Sequence, residues 1–260
     1  MTSSKAARKK SAKPLRVVLS DETYTTIREM LLTHEIAPGE RIKIDGLARD
    51  LEVSQTPVRE ALARLESEEL VIKEPLKGYA ATQLLTVSQL DDLFQFRSVI
   101  EPWSAAAAAK NRTQSDIEAI KAELETGNRA GKLDLDEAYA AMSEHDARFH
   151  ELIATISGNK NLRDAYVRTH CHLHLFRLYQ VLKSFMQENR EEAELVSEIF
   201  KLYYQPSGGF LAFKEHQEIA EAIISGKEKL ASELMLKHID SSRRRFGPTM
   251  DAIHQSKQPA

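Results

Sequence analysis

Residues 53–62 read Val53-Ser54-Gln55-Thr56-Pro57-Val58-Arg59-Glu60-Ala61-Leu62. Ser54 suits the start of a helix, where a short side-chain oxygen can meet an orphan N–H group. Pro57 fits the first turn, where its missing N–H costs nothing. Val58, Ala61, Leu62 and Leu65 recur at helical spacing and predict one buried face. The other face opens with Ser54, Gln55 and Thr56 and carries Arg59 one turn on. Short polar side chains and free N–H groups at a helix start favour a phosphate. An arginine there can fork onto guanine O6 and N7. Ser54 and Pro57 also read as a plain helix start, and Arg59 as one half of a surface ion pair.

Working outward, a helix is predicted from Ser20 or Asp21 to about His34, with Tyr24, Ile27, Met30 and Leu31 on one face. Pro38-Gly39 marks a turn. A short helix over 45–51 buries Leu47 and Leu51, and Glu52-Val53 turns into the helix opened by Ser54. Val71-Ile72 and Tyr79-Ala80-Ala81-Thr82 predict two strands joined by Pro75-Leu76-Lys77-Gly78. Helix, short helix, turn, helix and a two-stranded wing make a winged helix-turn-helix over residues 16–84. Arg64, and Lys77 from the wing, are candidates for contacts to the DNA backbone. Gly78 lets the wing tip approach a groove closely.

The 260 residues carry a net charge of −3, with 42% hydrophobic and 29% charged residues, as in an ordinary water-soluble chain. No apolar run is long enough for a bilayer, no apolar leader opens the chain, and the single Cys171 allows no internal disulfide. A reducing cytoplasm and no membrane partner are expected. Lys5, Arg8, Lys9, Lys10, Lys13 and Arg16 precede any acidic residue. Residues 1–15 are therefore read as a disordered basic arm able to attract DNA.

Beyond a boundary near 84–87 the pattern is mainly α, with helical periodicity over 87–111, 114–131, 134–157, 160–188, 190–204, 209–225 and 228–246. An antiparallel all-α bundle over 85–248 follows, with a disordered tail over 249–260. Asp146 and His150 stand four apart and share a helix face. A turn at Gly226 lays two helices antiparallel, bringing His216 and His238 to the same end of the bundle. Three imidazoles and a carboxylate from three helices suit a divalent transition metal. His145 points elsewhere by helical geometry, His170 and His174 form a rival pair, and His172 faces away from that pair. Arg97 and Arg177 are candidates to bind a carboxylate bidentately. For Arg97 an i,i+4 salt bridge with Glu101 is an equal reading. Tyr179 and Tyr166 could donate to a ligand or pack in the core.

The run VSQTPVREALARLESEELV, with IAPGERIKIDGLARDLE before it, closely resembles the DNA-reading region of the GntR family of bacterial regulators. Three positions depart from that pattern. Gln55 stands where the family usually has arginine, Asp45-Gly46 replaces a more helix-favouring pair, and Glu69 stands where a glycine normally ends the recognition helix. Three further stretches, FRSVIEPWSAAAAAK, HDARFHELIATISGNKNL and EHQEIAEAIISGKEKLASELMLKHID, resemble the FCD ligand-binding domain of the FadR branch. That resemblance implies a metal site at Asp146, His150, His216 and His238, holding zinc, or else nickel or manganese. It also implies a small carboxylate effector in the shell of the ion. The segment 185–212 is longer than usual for the family.

These readings together predict a homodimeric regulator that binds palindromic operator DNA and is released by a small organic acid, with repression of a catabolic operon as its outcome. Two alternatives remain: a regulator whose metal is structural or is itself the signal, and a metal-dependent enzyme. Against the enzyme stands the lack of an evident general base beside the site.

Overall fold

The computed structural model describes residues 15–130, 133, 135–188 and 211–256. The predicted basic arm lies outside the described residues apart from Leu15. The predicted helix over 190–204 and residues 189–210 of the long 185–212 segment lie outside them too. The chain divides into two compact units, 1–83 and 84–260.

In the first unit, α1 (Leu15–Leu32), α2 (Ile44–Asp50) and α3 (Gln55–Ser67) pack beside a small antiparallel sheet. Its strands are β1 (Arg41–Ile42), β2 (Val71–Glu74) and β3 (Gly78–Ala81), in the order β1-β3-β2. Helix α1 starts five residues ahead of the predicted start at Ser20. Pro14 is the nearest helix breaker on that side, and nothing between it and Ser20 stops helical propagation. Strand β1 was not predicted. Two residues hold no readable alternation, and it exists because Arg41 and Ile42 pair with Ala80 and Tyr79 across the sheet. Ile27 and Leu31 of α1 and Val58, Ala61, Leu62 and Leu65 of α3 are fully buried where the two helices pack.

The end of α3 shows how the missing glycine is replaced. Leu70 N–H donates to Leu65 C=O at 3.0 Å, and Glu69 N–H to Glu66 C=O at 3.1 Å. This is the paired bonding of a Schellman ending, and it forces Glu69 to φ 56°. A side chain in that region costs about 1–2 kcal/mol relative to glycine. Glu69→Gly is therefore expected to stabilise the unit by about 1 kcal/mol. A urea midpoint that is unchanged or lowered would contradict this reading.

Among the described residues, the second unit is an all-α bundle. Its helices are α4 (Val87–Asn111), α5 (Gln114–Ala130), α6 (Leu135–Ile156), α7 (Lys160–Arg168), α8 (Cys171–Glu188), α9 (Leu211–Ile224) and α10 (Glu228–Ser256). A capping box opens α4: Gln89 N–H donates to the Thr86 hydroxyl, and Thr86 N–H donates to the Gln89 side chain. Ala105, Ala108 and Ala109 are wholly buried, and such small side chains let α4 lie close along α10, its main neighbour. Phe149, Ile153, Leu178, Ile219, Ile223, Met235 and Ile239 fill the centre.

Two boundaries differ from the sequence reading. The span 160–188 is two helices, broken at His170, which takes φ 44°. No glycine or proline marks that break, so periodicity runs through it. Helix α10 continues through Gly247-Pro248 to Ser256, so residues 249–256 are helical rather than part of a disordered tail. Proline removes one backbone donor, and the helix here absorbs that loss.

Candidate metal centre and nucleic-acid interface

In the first unit, Ser54 holds the extended N-cap conformation (φ −75°, ψ 164°), but its side chain does not cap α3. Ser54, Gln55, Thr56 and Arg59 are all exposed at the start of that helix. Arg59 Nη2 donates to Gln55 Oε1 at 3.2 Å, so the two longest side chains of the face are held together. Arg64 is committed elsewhere: its guanidinium lies 3.7 Å from the Tyr24 ring centroid and its Nη1 donates to Asp21 at 3.0 Å. It ties α3 to α1 while remaining half-exposed. Lys77 lies on the wing loop, 3.5 Å from Glu74, and Gly78 turns the loop at φ 87°. The fully exposed Leu76 beside them takes φ 64°.

In the second unit, Asp146, His150, His216 and His238 converge, with one ligand atom from each lying within 4.8 Å of the others. Around the ring, Asp146 Oδ1 is 3.0 Å from His216 Nε2, which is 3.3 Å from His238 Nε2. His238 Nε2 is 3.1 Å from His150 Nε2, which is 3.9 Å from Asp146 Oδ1. Helices α6, α9 and α10 supply these residues.

Each imidazole is turned by a partner on its other nitrogen. His150 Nδ1–H donates to Glu101, which is held by Arg97 Nε at 2.5 Å. His238 Nδ1–H donates to Glu215 at 2.8 Å, and Arg245 backs that carboxylate at 3.3 Å. His216 Nδ1–H donates to His145 Nε2 at 3.1 Å, and His145 Nδ1–H donates to Glu123 at 2.9 Å. Asp146 is oriented in the same manner: His172 Nδ1–H donates to it at 2.5 Å, and Tyr166 O–H donates to His172 Nε2 at 2.6 Å.

With every Nδ1 proton directed outward, three Nε2 lone pairs and a carboxylate oxygen face one another. Burial pushes His150 and His238 down to about 4 and His216 to about 3, so the rings are neutral near pH 7. Burial opposes ionisation of Asp146, yet His172, whose Nδ1–H faces it, holds its carboxyl well below the usual range. Lone pairs this close repel unless a cation lies between them. Metal–nitrogen bonds of about 2.0–2.1 Å separate neighbouring ligand atoms by about 3.0–3.4 Å, so the donor set fits an imidazole-favouring divalent ion.

The remaining candidates divide. Arg97 is 1% exposed and forms the predicted salt bridge with Glu101, while its Nη1 has no partner among the described residues. Burial resists ionisation of Glu101, but Arg97 and His150 hold its carboxyl well below the usual range. Arg177 is buried on α8, where burial lowers it to about 10, and it adds to the burial that pushes His174 down to about 4. The side chain of Tyr179 lies outside the described residues. Sequence reasoning missed His172, Glu215 and Glu123, and it set His145 aside. His145 is not among the four converging donors, but it is wholly buried against His216. Local signals are limited to adjacency, Glu215 beside His216 and His145 beside Asp146, and adjacency does not show that Glu215 meets His238.

A winged helix-turn-helix joined in one chain to a helical unit with a buried imidazole–carboxylate cluster is the plan of a transcriptional regulator. Residues 19–80 match the bacterial regulatory proteins of the gntR family, and residues 92–241 match the FCD domain. The chain belongs to the GntR family of bacterial transcriptional regulators, in its FCD-containing form. It is 22% identical to the HTH-type transcriptional regulator YdhC of Bacillus subtilis, over 84% of this chain and 86% of that one. It is 26% identical to the HTH-type transcriptional regulator LutR of the same organism, over 81% and 93%. The solved structure of E. coli McbR/YncC shares the fold, with a TM-score of 0.59 at 18% identity over 92% of this chain and 99% of that one. No helix among the described residues is long and apolar enough to cross a membrane.

Proposed function

We propose that this regulator represses a catabolic operon and is released from a palindromic operator by a small carboxylate bound at a metal ion in the second unit. The observation that carries this reading is the convergence of three neutral Nε2 lone pairs on Asp146 Oδ1. Asp146, His150, His216 and His238 would hold the ion, zinc by preference and nickel or manganese by the same donors. Bound there, the ion supplies positive charge for an anionic effector. Arg97, with Nη1 unpartnered among the described residues, supports a carboxylate as that effector. Arg177, whose charge is also buried, and Tyr179 are the further candidate contacts.

A homodimer is supported by one exposed face of α4. Phe96, Val99 and Trp103 recur at helical spacing there and are 37%, 75% and 50% exposed. Two copies would present two α3 helices to successive half-sites of duplex DNA. Ser54, Gln55 and Thr56 are proposed to reach phosphates and base edges, and Lys77 and Gly78 to place the wing. Gln55 favours adenine as its base. Arg64 contributes by ordering α3 on α1 and, from its exposed edge, to the phosphate backbone. An effector shifts the DNA equilibrium only through different affinities for the competent and incompetent states.

The test is a titration of DNA from upstream of the protein's own gene, with zinc and then with small carboxylic acids. Arg59→Ala is expected to weaken operator binding by about 1–3 kcal/mol, roughly five- to 150-fold, without changing the melting temperature. Operator affinity indifferent to Arg59 would remove α3 from the groove. A metal that is structural only would raise thermal stability, and no acid would then alter DNA affinity.

A further inference from the structure

Two of the three imidazoles donate directly to a carboxylate, whereas His216 donates to a fourth imidazole. We infer that His145 is a positioning residue that holds His216 as a metal ligand, with its own tautomer set by Glu123 near the surface. The inference rests on the cluster being a metal site.

The proton order follows from the ends of the chain. A carboxylate only accepts, so the contact between Glu123 and His145 Nδ1 at 2.9 Å places the ring proton on Nδ1. His145 Nε2 is then bare and accepts from His216 Nδ1, 3.1 Å away. With its proton there, His216 offers only Nε2 to Asp146 and His238. The order starts outside the core: Arg148 Nε lies 3.2 and 3.1 Å from the two oxygens of Glu123, and Arg148 is 45% exposed. His145 carries the acceptor from Glu123, 14% exposed, to His216, which is wholly buried.

The ring of His145 is also held in place. It meets Phe213 edge-on at 5.5 Å between centroids and Phe149 at 5.9 Å, while Phe149 stacks on His216 at 4.2 Å. Helix α5 makes room with Gly127. A Cβ there would fall 2.6 Å from Phe213 and 2.8 Å from His145 Nε2. Glycine costs a helix interior stability, and here it leaves the space that the ring occupies.

The experiment measures zinc affinity of the full chain by chelator competition, with the absorption spectrum of the cobalt-substituted protein as a second readout. His145→Phe keeps the ring but removes the acceptor. It is expected to lower zinc affinity roughly 10–100-fold and to shift the cobalt bands. His145→Gln, whose amide oxygen can take the place of Nε2, should recover most of that loss. Glu123→Ala should show a smaller loss in the same direction, and it carries the test alone if His145→Phe does not fold. Wild-type affinity and an unshifted spectrum in His145→Phe, beside lost binding in His216→Ala, would overturn the relay and leave the metal site standing. Failure of the wild-type chain to bind zinc, or zinc binding undiminished by His216→Ala, would overturn both.

Discussion

Replacing Glu101 with alanine is expected to destabilise the helical unit by about 3–5 kcal/mol, the range for breaking a buried ion pair by removing one partner. The cause is Arg97, which is 1% exposed and loses the carboxylate that faces its Nε at 2.5 Å. His150 loses the acceptor for its Nδ1 proton in the same change. Replacing both members of the pair, as Arg97→Met with Glu101→Leu, removes the buried charge and should recover part of the loss. Recovery stays incomplete because His150 still lacks its acceptor. The check is chemical denaturation followed by a probe in the helical unit. A Glu101→Ala variant within about 1 kcal/mol of wild type would show that the guanidinium reaches water.

The second large effect belongs to metal and acid together. Zinc at a hundred times its dissociation constant should stabilise the fold by about 2.7 kcal/mol, and His216→Ala or His238→Ala should abolish the gain. In the metal-free protein, His150, His216 and His238 have folded values of about 4, 3 and 4 against 6.5 for the free side chain. Between these limits the unfolded chain binds protons that the folded one refuses. Stability is therefore full above about 6.5 and falls as the pH drops toward 4. Zinc should hold off that fall and then be released as protons compete for the imidazoles. Thermal melts from pH 7.5 to 4, with and without metal, test this. A metal-free protein that gained stability on acidification would contradict the buried neutral imidazoles.

The first unit was legible because its signals are local. Ser54, Pro57 and the spacing of Val58, Ala61, Leu62 and Leu65 place the start of α3 at Ser54, its N-cap. Strand β1 was illegible because two residues carry no pattern and the partner strand begins 36 positions later, at Gly78. In the second unit, Asp146 and His150 could be paired from their spacing, and the turn at Gly226 brought His216 and His238 together. His145 could not be placed in that way. A neighbour in sequence is rotated by about 100° on a helix, so spacing from Asp146 points it to another surface. That surface is occupied by Glu123 of α5 and His216 of α9, and packing alone put them there.

By itself, the sequence determined the winged helix and the helical character of the described residues beyond it, and it named the four side chains that converge. Periodicity and residue type are properties of a few consecutive turns, and they act before any long-range contact forms. Tertiary structure alone decided the break at His170, the orientation of each imidazole and the placing of Arg245 on Glu215 and Arg148 on Glu123. The orientation of the imidazoles depends on protons shared between helices far apart in sequence, as for the 71 positions from His145 to His216. Only burial makes such bonds strong enough to fix a tautomer.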